Sequence, residues 1–112
     1  MFTSYFAKNS NHKNAVSICG KCPDWYKGKQ YKKLAPKFWF FAKYKADNDE
    51  AFYTEQYNNE VLSMLNPNDI LKELGEDAVL LCYEKPGDFC HRHLVSKWLN
   101  DNGIKCSELK QP

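Results

Sequence analysis

The chain has 112 residues, 43% of them hydrophobic and 27% charged, with a net charge of only +2. That length suits one domain, residues 1–112, with a real apolar core, and the balance excludes a disordered chain, a collagen-like repeat and a coiled coil. No apolar run approaches the roughly 18 residues of a membrane span. The N-terminal residues lack the basic-then-apolar pattern of a signal peptide, so a cytoplasmic protein without a membrane partner is expected.

Taken in chain order, residues 2–7 are short, aromatic and β-prone and predict a strand. Ala15 to Ile18 is a second short apolar run, stopped by Gly20. Residues 20–36 hold two glycines, two prolines and five lysines and read as one long loop. Phe38-Trp39-Phe40-Phe41 reads either as a short helix tucked against a sheet or as an exposed sticky patch, and burial is the preferred expectation. Tyr53, Tyr57, Val61 and Leu65 recur every four residues and predict a helix over 50–65. Asn66-Pro67 caps and starts another, with Ile70, Leu71 and Leu74 as its apolar stripe and Gly75 at its end. The continuous apolar run Ala78 to Tyr83 suits a strand covered on both faces, as in a parallel sheet. A polar loop follows, then a helix from about Cys90 to Asn102 closed by Gly103, then a final strand over 104–109. Strand, loop, helix and strand make a right-handed βαβ unit. The expected fold is α/β, a small Rossmann-like three-layer sandwich around a mostly parallel sheet. Ligands in such sheets sit at the carboxyl ends of strands, and the loop after Tyr83 is such a place.

Charge is unevenly distributed. Residues 1–45 carry ten lysines and one acid, a net of +9, while residues 46–112 carry six basic and thirteen acidic residues, a net of −7. Eleven of the seventeen aromatics also lie in the basic part, and lysine interleaved with aromatics can cradle a polyanion. Most of these lysines are read as a solvated face; a small anionic ligand is the expected partner, with nucleic acid as an alternative. Opposite charge faces also suit a protein partner, and the sequence leaves the oligomeric state open. Five cysteines, an odd count, argue against a disulfide framework. Cys19 and Cys22 form a CxxC pair, but no second CxxC or HxxxH completes a zinc ligand set, and Pro23 and Gly28 suit a loop rather than a redox helix start. No metal site and no cofactor are therefore assigned.

The segment from Cys82 to His93 concentrates two thiols, two imidazoles, a guanidinium and two carboxylates at the start of a predicted helix. A helix N-terminus presents unpaired N–H groups and partial positive charge. Cys90 there, beside His91 and Arg92, is a candidate thiolate nucleophile, against the alternative of an inert buried cysteine. Glu84, just past the strand, and His91 are candidate general acid/base residues. Arg92, the sole arginine, either grips an oxyanion or clamps Glu84 to the helix. Cys82 is expected in the core at the edge of the pocket, and His93 on the surface. Trp25, Tyr26 and Lys27 on the long loop are candidates to close over a ligand.

The stretch Val79-Leu80-Leu81-Cys82-Tyr83-Glu84-Lys85, then Cys90-His91-Arg92, then a helix with Leu94, Trp98 and Leu99 closed by Gly103, resembles the domain-of-unknown-function 488 family. The resemblance is good over 76–109 and looser over 1–45, where residues 23–28 and 31–36 look like a compact phage- and bacterium-associated branch. It implies a Rossmann-like fold and a pocket around Cys82, Glu84, Cys90, His91 and Arg92. It implies no reaction. Cysteines at 19 and 22 depart from that branch, which weakens a role for the CxxC pair. The expected function is an enzyme acting on a phosphate- or nucleotide-bearing small molecule. Its alternative is a module that binds a nucleotide or single-stranded nucleic acid without chemistry.

Overall fold

A computed structural model of the chain describes residues 1–110. Its elements run β1 (Phe2–Tyr5), α1 (Phe6–Asn9), β2 (Ala15–Ser17), β3 (Lys29–Gln30), α2 (Phe38–Asp47), α3 (Glu50–Glu60), α4 (Pro67–Leu74), β4 (Val79–Cys82), α5 (His91–Asp101) and β5 (Ser107–Glu108). Single 3-10 turns at Lys32–Leu34 and Leu62–Met64 punctuate the connections. The five strands form one sheet in the order β3-β2-β4-β1-β5 with every pair parallel.

The all-apolar β4 takes the central position that its composition demands. Each of its residues is buried, and it pairs from Phe2↔Val79 to Tyr5↔Cys82 on one side and from Ala15↔Val79 to Ser17↔Leu81 on the other. Alternation then divides its side chains between two apolar clusters. Leu80 and Val16 face a large one with Phe40, Tyr53, Tyr57, Ile70, Val95 and Leu99, contributed by α2 to α5. Val79, Leu81 and Ala15 face a smaller one with Phe6 and Tyr26, contributed by α1 and the loop after β2. The sheet is thus covered on both faces, heavily by four helices and thinly by one helical turn and a loop. Val95 and Leu99, one turn apart on α5, are fully buried, each stabilising the fold by about 1.5–3 kcal/mol relative to exposure.

Local signals set several boundaries. The Asn66 side chain accepts a hydrogen bond from the Asn68 amide and Pro67 opens α4, whose end is marked by Gly75 at φ +88°. The expected α/β class and the parallel sheet are found. Four local expectations are corrected. The first strand stops at Tyr5, and Phe6 and Ala7 begin α1. The segment 20–36 is not all loop, because Lys29 and Gln30 pair with Val16 and Ser17 while Tyr31 and Leu34 anchor it in the core. The helix expected over 50–65 ends at Glu60 and resumes as a 3-10 turn. Of the final run, residues 107–108 pair as strand.

Candidate functional site

The chain leaves β2 toward β3 at one edge of the sheet and leaves β4 toward β5 at the other. β2 and β4 are neighbours, so their connections part company at their carboxyl ends. This is a topological switch point, where an open parallel sheet leaves a crevice for a ligand. A cavity of about 710 Å³ lies there. Cys19, Gly20 and Lys21 from the end of β2 line it, with Cys82, Tyr83 and Glu84 from the end of β4 and His91 from the start of α5. Pro36, Phe38, Phe41 and Lys45, on and before α2, complete the wall.

The floor is built from buried groups whose partners fix them. His91 brings Nε2 to 2.8 Å from the Ile18 carbonyl oxygen. A carbonyl only accepts, so Nε2 carries the proton and Nδ1 keeps its lone pair. Nδ1 stands 3.9 Å from Cys90 Sγ. Burial pulls the imidazole down to about 4, with the neighbouring Arg92 charge adding to the shift and the Ile18 carbonyl opposing it. His91 is therefore neutral at physiological pH and orients a thiol better than it strips its proton. Cys82 and Cys90 are joined sulfur to sulfur. Cys82, Cys90 and His91 keep their ligand atoms within 4.8 Å of one another, a donor set that could share an ion only with the two sulfurs separated as thiolates.

Arg92 is fully buried. Its Nε and Nη2 donate to the two Glu108 carboxylate oxygens at 3.2 and 3.0 Å, a bidentate pair with β5. Nη1 donates to the Glu84 carbonyl at 2.6 Å and to Cys82 Sγ at 3.4 Å. One guanidinium thus ties α5, the end of β4 and the edge strand β5 together. Of the two roles the sequence offered this arginine, the structure gives the clamp; it reaches the Glu84 backbone, while the carboxylate in its fork is that of Glu108.

The rim is more open. Phe38 is 80% exposed and Phe41 39%. Burial of the aromatic run is thus corrected: Phe40 alone of the four points into the core, because a helix can turn one face inward and residues 38, 39 and 41 lie off it. Lys45 Nζ lies 5.2 Å from the Phe41 ring centroid and 3.9 Å from Glu84 Oε1, spanning the cavity mouth. The Tyr83 hydroxyl donates to the Lys21 carbonyl at 2.6 Å and bolts the loops after β2 and β4 together. Burial, reinforced by the negative charge of Glu84 and Cys22, pushes the Cys19 thiol up to about 12.

The sequence-assigned residues therefore separate. Cys82, Glu84 and His91 line the cavity; Cys90 and Arg92 stand beside them without lining it. Trp25, Tyr26 and Lys27 do not line it. Tyr26 is buried, its ring 5.2 Å from that of Phe6 and its hydroxyl donating to the Lys29 carbonyl at 2.8 Å, which pins the loop to the thinly covered face. Trp25 leans on the same Phe6 ring at 6.4 Å. His93 is half-buried rather than on the surface. Cys19, Lys21, Phe38, Phe41 and Lys45 were missed as site residues. The topology that brings α2 over β2 and β4 gathers them, and only the position of Cys19 just past a strand was a signal in the sequence.

The fold and this crevice define a small parallel α/β protein with a cysteine- and histidine-floored site at its switch point. The family model DUF488-N3a, described as the active DUF488-N3 subclade, matches residues 4–103, and the chain belongs to the DUF488 family. No curated protein and no solved structure matches the chain. Among the described residues no helix is long and apolar enough to cross a membrane.

Proposed function

We propose that the protein is an enzyme acting on a small molecule that carries a phosphate or a nucleotide, bound in the cavity between β2 and β4. The observation that carries this reading is the pairing of aromatic walls with two lysines above a floor of sulfur and imidazole. Phe38, Phe41 and Tyr83 offer stacking faces, each worth about 1–3 kcal/mol to a base. Lys21 and Lys45 supply the charge for a phosphate. Glu84 lines the cavity and is the carboxylate assigned to proton transfer in this reading. Two sulfurs line the cavity, Cys82 and Cys19, and burial keeps the Cys19 thiol protonated, so the nucleophile moves from Cys90, its sequence assignment, to Cys82, with His91 beside it in the lining and Cys90 behind.

One observation favours the binding-only alternative: the Cys82 sulfur is bonded to that of Cys90, and a sulfur in that state is no nucleophile. Calorimetric titration of adenosine monophosphate, adenosine and inorganic phosphate into untreated and thiol-reduced protein tests both readings. The expected result is nucleotide binding at least tenfold tighter than either fragment. Lack of binding by all three overturns the ligand class.

A further inference from the structure

Cys82 and Cys90 are joined, yet each sulfur has a neighbour suited to the separated thiolate. Arg92 Nη1 points at Cys82 Sγ from 3.4 Å, and a cation there stabilises the ionised thiol. Cys90 is the N-cap residue of α5, where unpaired amides and the helix dipole favour negative charge, and its side chain is spent on no cap hydrogen bond. His91 Nδ1, held by the Ile18 contact, faces the same sulfur. A bond that merely staples β4 to α5 has no use for a guanidinium or for an imidazole lone pair. The staple is also redundant, because Arg92 already links the same two elements through the Glu84 carbonyl. Access is one-sided: Cys82 lines the cavity and Cys90 does not.

We propose that Cys82 and Cys90 form a redox-active pair that reduces a small-molecule disulfide carrying a nucleotide group, with Cys82 attacking and Cys90 resolving. The ligand class rests on the reading of the cavity given above. In the first step the Cys82 thiolate attacks one sulfur of RS–SR. The substrate S–S bond breaks, Cys82–S–S–R forms, and RS⁻ leaves and takes up a proton. In the second, Cys90 attacks the Cys82 sulfur, its thiol proton passing to the departing RS⁻, and the Cys82–Cys90 bond forms. Two electrons move from the protein dithiol to the substrate, two RSH are released, and a low-molecular-weight thiol returns the pair to the reduced state. Lys21 and Lys45 with the rings of Phe38 and Phe41 select the nucleotide end; Arg92 holds Cys82 as the better attacking and leaving sulfur.

The test is trapping. Reduced Cys90→Ser protein is mixed with coenzyme A disulfide, glutathione disulfide or cystamine, and intact mass is followed in time. Circular dichroism checks the fold, and Cys90→Ala serves as the second variant should the serine fail to fold. The expected result is a one-to-one adduct on Cys82 that accumulates at least tenfold faster with coenzyme A disulfide than with cystamine. Cys82→Ser should gain adduct at least tenfold more slowly. In the unaltered protein, alkylation after equilibration in glutathione buffers should show residues 82 and 90 converting together, as one two-thiol unit. Equal trapping at both positions, no trapping at Cys82, or an ion held so tightly that both thiols resist alkylation overturns the proposal. If adenosine monophosphate still binds in that case, the cavity reading survives and only the redox chemistry falls. If nucleotide binding is also absent, both fall.

Discussion

The floor and the rim of the cavity are made in opposite ways. His91, Arg92 and Cys82 on and behind the floor are buried, and each is held by a partner from a different element: Ile18 beyond β2, Glu108 on β5, Cys90 at the start of α5. On the rim, Phe38 and Lys45 are largely exposed and Phe41 partly so, and Lys45 makes one cation–ring approach to Phe41 and one long ion pair with Glu84. Under the proposed function, floor residues therefore serve the fold and the chemistry together, so altering one disturbs both. Rim residues are free to be tuned for a ligand at little cost to the fold.

The sharpest way to break this division is Arg92→Leu. Removing the guanidinium leaves the Glu108 carboxylate and the Glu84 carbonyl without their shared donor, which costs about 3–5 kcal/mol. Arg92→Lys should not restore it, since an ammonium cannot make the bidentate pair. Urea unfolding reads both variants, and a loss below about 1 kcal/mol in Arg92→Leu would show that the clamp is dispensable.

Next in size is a pH effect on the same floor. The unfolded chain protonates His91 near 6.5, whereas the folded protein resists down to about 4. Between those values the unfolded state binds more protons, so stability rises with pH and is lost as pH falls through the window, by about 3 kcal/mol in all. Urea midpoints at pH 7, 5.5 and 4.5 in the wild type and in His91→Asn isolate this contribution. The difference between the two proteins should shrink steadily as the pH is lowered, and a constant difference contradicts the buried neutral imidazole.

The rim gives the smaller stability effects. Phe38→Ala and Lys45→Ala should change unfolding free energy by no more than about 0.5 kcal/mol, as for most exposed positions. Each should nevertheless weaken nucleotide binding roughly three- to thirtyfold, the size of one lost stacking or charge contact. A rim variant that unfolds the protein, or leaves binding untouched, would erase the distinction between the two regions.

The same division explains what could be read from the sequence. The floor comes from a stretch in which strand, loop and helix are contiguous. Cys82, Glu84, Cys90, His91 and Arg92 are close in the chain before they are close in space, and hydrophobic period and composition located the elements that carry them. Local order still left Arg92 ambiguous. Its carboxylate partner is Glu108, sixteen residues on, in a two-residue strand too short to announce itself. The choice between Cys82 and Cys90 as the cavity-facing sulfur likewise depends on strand register and on where α5 begins. The rim was not legible because α2 lies forty residues away in the chain and reaches the crevice only through the crossover from β3 to β4. Trp25, Tyr26 and Lys27 show the converse: composition suggested ligand contacts, and the structure places them outside the cavity lining, with Tyr26 packed in the same cluster as Phe6 on the second sheet face.

The most direct test of the cavity is to add adenosine monophosphate to isotope-labelled protein and map which backbone amides shift. The account predicts shifts at Lys21, Phe38, Phe41, Lys45, Tyr83 and Glu84, around the switch point between β2 and β4. Shifts confined to residues 25–27 and the neighbouring lysines, with the crevice silent, would contradict it.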